Sequence, residues 1–237
     1  MEKATTQQVS EFRKKYCCNP ASRLQIANDF DVYVESFEEL LPGNTVKSYA
    51  TGSRDIDGAF VVFRVEDVVN DVIYYPVFSE SVGRGLTRNW NLTLPSKMTI
   101  FTATNNHAGG GNGEENPGSK RKAANRQMLY LIQFVRSMMI LHVDEPKPMS
   151  DPFKRIYDKL YSHPNYDVFV DDIKRVNSAT HNFLNKNINT RNENFRNLQG
   201  YIYYVQERYP NMNLRDCNFE MFRNRLAEAY PDEEVVI

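Results

Sequence analysis

Asp55 and Asp57 are the residues whose type and spacing most directly suggest chemistry in this sequence. Side chains two apart on a strand project to one face, so in Gly52-Ser53-Arg54-Asp55-Ile56-Asp57 the two carboxylates could hold a divalent cation for phosphoryl transfer. A polar hairpin turn, Arg54-Asp55-Ile56-Asp57-Gly58, accounts for the same letters and is the expectation here. Gly113 and Gly118 have the four-residue gap of a phosphate-cradling loop and lie between a β-like run and a helix. That chemistry needs a lysine directly after the second glycine, whereas Ser119 precedes Lys120, and Glu114 and Glu115 would repel a phosphate. A surface loop is expected instead. No two of His107, His142, His163 and His181 stand at metal-ligand spacing, and no serine sits in a nucleophile elbow. His142-Val143-Asp144-Glu145 could bind a metal, but a helix end carrying a favourable cation explains it as well. The expectation is no catalytic residue, no metal and no cofactor, hence no enzyme.

The stretch around Asp55 and Asp57 resembles the nucleotidyltransferase superfamily signature, in which a Gly-Ser turn precedes two metal-binding carboxylates. That family places part of a helix between the turn and the acidic pair, and here only Arg54 intervenes. The resemblance implies, as an alternative, a nucleotidyltransferase-like enzyme with Asp55 and Asp57 at its metal and nucleotide site.

Cys17, Cys18 and Cys217 are an odd number and too few for a secreted disulfide scaffold. Neighbours on a helix lie about 100° apart around its axis, so Cys17 and Cys18 do not readily bond each other and at most one faces inward. One thiol should be exposed. Free thiols are the intracellular default, and interchain disulfides through Cys17, Cys18 or Cys217 are the alternative outside the cell. Lys174, Arg175, Lys186, Arg191 and Arg196 alternate with Asn, Phe183 and Phe195 in a pattern that could suit a nucleic-acid backbone and stacked bases. Asp171, Asp172 and Glu193 dilute that charge, so nucleic acid is not the expected partner and an RNA-binding nucleocapsid is the runner-up. Lys120-Arg121-Lys122 is a candidate nuclear-import signal.

The positioning elements follow from periodicity. Thr5 with Gln8 makes a capping box, and Val9, Phe12 and Tyr16 predict a first helix ending near Cys17. Asn19-Pro20 starts a second, with Leu24, Ala27, Phe30, Val34, Phe37 and Leu41 on one face until Pro42-Gly43. Val46–Tyr49, Ala59–Val65, Val72–Phe78 and Lys97–Thr102 are short β-rich runs and predict a small antiparallel sheet. Asn91-Leu92-Thr93 has the form of a glycosylation acceptor but reads as a turn.

Residues 105–119 form a flexible Gly/Asn-rich loop that separates a helix-plus-sheet region, 1–104, from a helical bundle, 120–237. The bundle is organised on a helix from Lys120 to Val143, whose Met128–Leu141 block is apolar all round and must be covered on every side. That block falls short of a bilayer span and is interrupted by Gln133 and Arg136, so no membrane partner is expected. A neighbouring copy could complete its cover by domain swapping. Ser150-Asp151-Pro152 starts the next helix, with Phe153, Ile156, Tyr157 and Leu160 on one face. Three more span Tyr166–Leu184, Asn192–Tyr209 and Asn213–Tyr230, before a tail whose last triplet, Val235-Val236-Ile237, suits docking on another chain. The fold class is therefore mainly α (α+β).

The polar start Met1-Glu2-Lys3-Ala4-Thr5-Thr6 predicts cytosolic synthesis, and a net charge of −1 permits self-association. In whole-chain character, with 14 Tyr, 14 Phe, no catalytic motif and three unpaired cysteines, the sequence resembles the viral occlusion-body matrix proteins of polyhedrin type. It is most similar to the mainly helical nudivirus occlusion proteins. The resemblance implies a crystal lattice of identical copies, occluded virions as partners, and a host nucleus or cytoplasm followed by an extracellular occlusion body. It also implies dissolution in an alkaline gut, for which tyrosine ionisation near pH 10 supplies a mechanism.

Overall fold

The computed structural model describes residues 1–52, 54–102, 121–141, 143–186 and 195–237. They form a mixed α+β structure of two compact units, Met1–Met98 with Ile140–Pro148, and Thr99–Met139 with Met149–Ile237.

The first unit begins with β1 (Glu2–Lys3) and α1 (Thr6–Tyr16). The Thr5–Gln8 capping box is formed, and α1 buries Phe12 and Tyr16. Asn19 caps α2 (Pro20–Asp29), which stops twelve residues short of Leu41: Phe30 is already extended, at φ −141° and ψ 157°. The predicted helical face from Phe30 onward belongs instead to β2 (Asp31–Glu39). Val32, Tyr33 and Val34 are β-branched or aromatic and prefer a pleated surface, and their i, i+3/i+4 spacing with Phe37 was coincidental. A bulge between Val34 and Ser36 breaks the alternation, so Glu35, Ser36, Phe37 and Glu38 are all buried.

The sheet core is β3 (Ala59–Asp67), in which Phe60, Val61, Val62 and Phe63 are wholly inaccessible. It pairs antiparallel with β2, with β4 (Val72–Tyr74) and with β5 (Val77–Ser79). The run Val72–Phe78 is split because Pro76 has no N–H to donate, although its carbonyl still accepts from Phe63 N at 3.0 Å. The sheet is mixed, contrary to the antiparallel expectation, because β1 pairs parallel with β4. Of the other β-rich runs, Val46 makes only a single bridge to Ile56, and Met98 and Phe101 single bridges to Glu38 and Leu214.

A helix lies where only strands and turns were expected, α3 (Glu80–Asn89). Its two glycines lower helix propensity, but Gly83 is needed for packing. A Cβ there would stand 2.5 Å from Val61 Cγ2, so α3 rests directly on β3. Asn91 follows in a left-handed turn at φ 52°.

The second unit is helical: α4 (Ala123–Ile140, its last residue in the first unit), α5 (Asp151–Ser162), α6 (Val170–Lys186), α7 (Leu198–Arg208) and α8 (Glu220–Ala229). Every residue of α4 from Met128 to Met138 except Tyr130 is buried, Gln133, Arg136 and Ser137 included. Ser137 Oγ lies 2.7 Å from the hydroxyl of the fully buried Tyr201, and Phe134 packs edge-on to Phe219. α5 buries Phe153, Ile156, Tyr157 and Leu160, the face expected. α8 starts seven residues after Asn213, because Thr102 N donates to Asn213 O and Asn218 Oδ1 accepts from Glu220 N. Within the tail, Val236 and Ile237 are buried.

Candidate functional site

Asp55 and Asp57 are both exposed and flank buried Ile56, whose backbone pairs with Val46. Of the described residues in this stretch only Ile56 forms a β-bridge, and the turn lies upstream at Thr51-Gly52, where Gly52 takes φ +73°. Ser53 lies outside the described residues. Among the described residues no three His, Cys, Asp or Glu side chains gather closely enough to hold a metal. The loop with Gly113 and Gly118, and His107 and His142, also lie outside them. His163 contacts the carbonyl of Lys159 near the end of α5, and His181 contacts Glu234 in the tail at 3.1 Å.

The cysteines have three different environments, all as free thiols. Cys17 is the C-cap of α1 and fully buried, and burial pushes its thiol up to about 12. Its carbonyl accepts from Thr51 N at 3.0 Å, Thr51 Oγ1 at 3.0 Å and Arg23 Nη1 at 3.3 Å, so the junction is tightly tied. Cys18 is exposed just beyond the helix, beside Ser22 Oγ at 3.3 Å and Asn19 Nδ2 at 3.4 Å. Cys217 is half-buried, its thiol raised by burial and then by Asp216. Cys18 is thus the exposed thiol of the three and Cys17 the buried one.

Of the basic run, Lys120 lies outside the described residues, and its neighbours serve the fold. Arg121 donates to the carbonyls of Leu160 and Tyr161 at the end of α5 and to Asn125 Oδ1, placing a cation where the helix dipole favours one. Lys122 pairs with Asp167 at 2.6 Å. In the nucleic-acid candidate stretch, Lys174 is engaged by Glu233 at 2.9 Å and lies 3.8 Å from the Tyr230 ring centre. Arg191 and the Lys186 side chain lie outside the described residues. No helix among the described residues is long and apolar enough to cross a membrane.

The first unit carries a cleft of about 490 Å³ whose lining includes Phe12, Tyr16, Phe30 and Tyr74 together with Glu11, Asp29 and Asp67. Phe12 stacks on Tyr74 at 4.5 Å, and the Lys15 ammonium sits 4.6 Å from the Tyr16 ring centre. Periodicity marked Phe12 and Tyr16 as core residues. It could not place Phe30 or Tyr74 beside them, because the end of α2 was misplaced and the β3–β4 pairing is a tertiary feature.

Tyr16 also shows a pattern that recurs across the chain. Its hydroxyl donates to Asp29 Oδ2 at 2.7 Å, Tyr166 to Asp172 at 2.8 Å, Tyr203 to Glu207 at 2.7 Å and Tyr230 to Asp171 at 2.7 Å. All four phenols are held above their ordinary range. Desolvation is the main cause for Tyr16 and Tyr166, and the carboxylate hydrogen bond for Tyr203 and Tyr230. Losing the proton from such a pair removes a hydrogen bond and leaves two anions within contact distance.

Compared with known proteins, the chain matches no family model, no curated protein and no solved structure.

Proposed function

We propose that this chain is a structural protein that assembles with copies of itself into a dense array, as a viral occlusion-body matrix protein does. In this reading the second unit is a helical bundle around α4, virions are the enclosed partner, and assembly takes place in the nucleus or cytoplasm of the host cell. The array holds near neutral pH and comes apart in alkali.

The observation that carries the reading is the set of tyrosine–carboxylate pairs, Tyr16–Asp29, Tyr166–Asp172, Tyr203–Glu207 and Tyr230–Asp171. Each is a neutral donor on an anion at neutral pH and becomes a pair of like charges only in alkali beyond the ordinary phenol range. The net charge of −1 leaves little repulsion between copies at neutral pH. Strong alkali ionises tyrosines and neutralises lysines together, so the same chain becomes a polyanion.

Expression in insect cells tests this directly. Intracellular crystals that dissolve near pH 11 with reductant present are the expected result. A protein that stays monomeric at high concentration, or crystals that survive those conditions, would refute it. Non-reducing gels of dissolved crystals then test the contribution of Cys18 and Cys217, with interchain dimers expected under thiol-blocked conditions. RNA binding that falls steeply with salt would point to a nucleocapsid instead.

A further inference from the structure

The segment Glu233–Ile237 lies in a seat built by three helices of the second unit, and the seat reads it mainly through its backbone. From α6, Asn177 Nδ2 donates to Glu234 O at 2.8 Å and Asn177 Oδ1 accepts from Val236 N at 2.9 Å. The Asn177 side chain is 1% exposed, so both of its polar atoms are committed inside the protein. At the start of α7, Leu198 N donates to Val236 O at 2.8 Å, using a helix-terminal N–H that has no partner within the helix. From α8, Arg223 Nη1 donates to Ile237 O at 3.3 Å. Lys174–Glu233 at 2.9 Å and His181–Glu234 at 3.1 Å clasp the rim. Val236 and Ile237 fill the floor.

This is how a receptor holds an extended peptide: backbone hydrogen bonds for affinity, apolar pockets for register, ion pairs at the edge. None of these contacts depends on the covalent link to α8. That link, Tyr230–Asp232, has exposed Pro231 and Asp232, and the turn is closed by the bond from Glu233 N to Tyr230 O at 3.1 Å. The seat's backbone contacts all lie beyond this turn, so the segment that they hold is a separate unit from the link.

We propose that the α6–α7–α8 seat is a peptide receptor and that, in a dense array, it takes Glu233–Ile237 from a second copy, joining copies by exchanged tails. A short tether gives the chain's own segment an effective concentration on the order of millimolar, which a free copy in dilute solution cannot match and a packed array can. The receptor stands on the contacts above, and only the setting for exchange rests on the self-assembly reading.

The test uses the chain ended at Asp232 and a fluorescent peptide of Pro231–Ile237. The truncated chain, checked for helical content by circular dichroism, should bind the peptide saturably. Asn177→Ala should weaken that binding at least tenfold, and the full chain should bind at least tenfold more weakly because its own segment competes. If truncation unfolds the chain, a protease site set between Pro231 and Asp232 leaves the folded full chain to be cut. Exchange of labelled peptide into the cut form then gives the same reading. A folded truncated or cut chain that takes up no peptide, or binding indifferent to Asn177→Ala, overturns the receptor. At millimolar concentration the full chain should form oligomers that truncation abolishes, and monomer alone overturns the exchange. Insect-cell crystals grown from the truncated chain would overturn exchange while leaving self-assembly standing. Peptide binding by a chain that never assembles would do the reverse.

Discussion

Raising the pH should unfold the first unit through two buried acids, and the size of the effect follows from their positions. Cys17 is fully buried and its thiol is pushed up to about 12, against 9.0 unperturbed. Tyr49 is 7% exposed and its phenol is likewise pushed up to about 12, against 10.0, by burial first and then by Glu145. In both, the folded state holds the proton more tightly than the unfolded chain does. The stabilisation is therefore complete below the unfolded values and is lost as pH rises through the folded ones. At 1.36 kcal/mol per pH unit of difference, pH 11 removes about 3 kcal/mol through Cys17 and about 1 kcal/mol through Tyr49. By pH 12 the losses reach about 4 and about 2 kcal/mol, comparable with the whole stability of an ordinary domain.

The assay is denaturant unfolding at pH 8 and pH 11 with reductant present, followed by circular dichroism. Cys17 and Tyr49 together should contribute about 4 kcal/mol to the loss between the two, and the other raised phenols add to it. Tyr49→Phe should shrink that loss by about 1 kcal/mol and Cys17→Ala by about 3 kcal/mol, even though each variant is somewhat less stable at pH 8. Equal pH dependence in the wild type and in the double variant would refute the reasoning.

Gly83→Ala should destabilise by about 1–3 kcal/mol, because its Cβ would meet Val61 at 2.5 Å and outweigh the gain in helix propensity. Gly85→Ala, in open space on the same helix, should stabilise by about 0.5–1 kcal/mol, and thermal melts of the two variants must move in opposite directions. Under native conditions a thiol reagent should label Cys18 first, Cys217 more slowly and Cys17 only on unfolding, as mass spectrometry of quenched samples would read. Tyr201→Phe should cost about 1–3 kcal/mol by leaving Ser137 Oγ without that partner, and adding Ser137→Ala should recover part of it in a double-mutant cycle.

Local signals are legible in the sequence where one residue decides the geometry. Thr5 with Gln8, Asn19-Pro20 and the apolar stripe of α5 each describe a helix start or face without help from distant residues. The failures share a cause in tertiary structure. Phe30, Val34 and Phe37 satisfied a helical period, but nine residues of β3 were available to pair with them. Gly83 and Gly85 argued against a helix, and only the proximity of Val61 shows why glycine stands in one. The parallel pairing of β1 with β4 joins residues 70 apart, beyond any local pattern. Among candidate site residues, the inward–outward split of Cys17 and Cys18 is legible in the sequence. The structural duty of Arg121 was not, because its acceptors Leu160 and Tyr161 lie about forty residues away.

Lys174 connects the proposed assembly to its proposed release. It pairs with Glu233 and lies over the Tyr230 ring, while Tyr230 donates to Asp171 one turn before Lys174 on α6. The Lys174 ammonium is held above its ordinary range, chiefly by Glu233, and the Tyr230 phenol above its own, chiefly by Asp171. Below pH 10 the cluster is a cation among anions plus a neutral donor, and it clasps the tail. Above the raised values it becomes a neutral amine beside Asp171, Glu233 and the Tyr230 phenolate, with His181 against Glu234 and Arg223 against Ile237 O the other basic groups that touch the segment. In the proposed array, the same alkaline range that weakens the first unit through Tyr49 and Cys17 would therefore also loosen the tail from its seat, whether that seat is its own or a neighbour's.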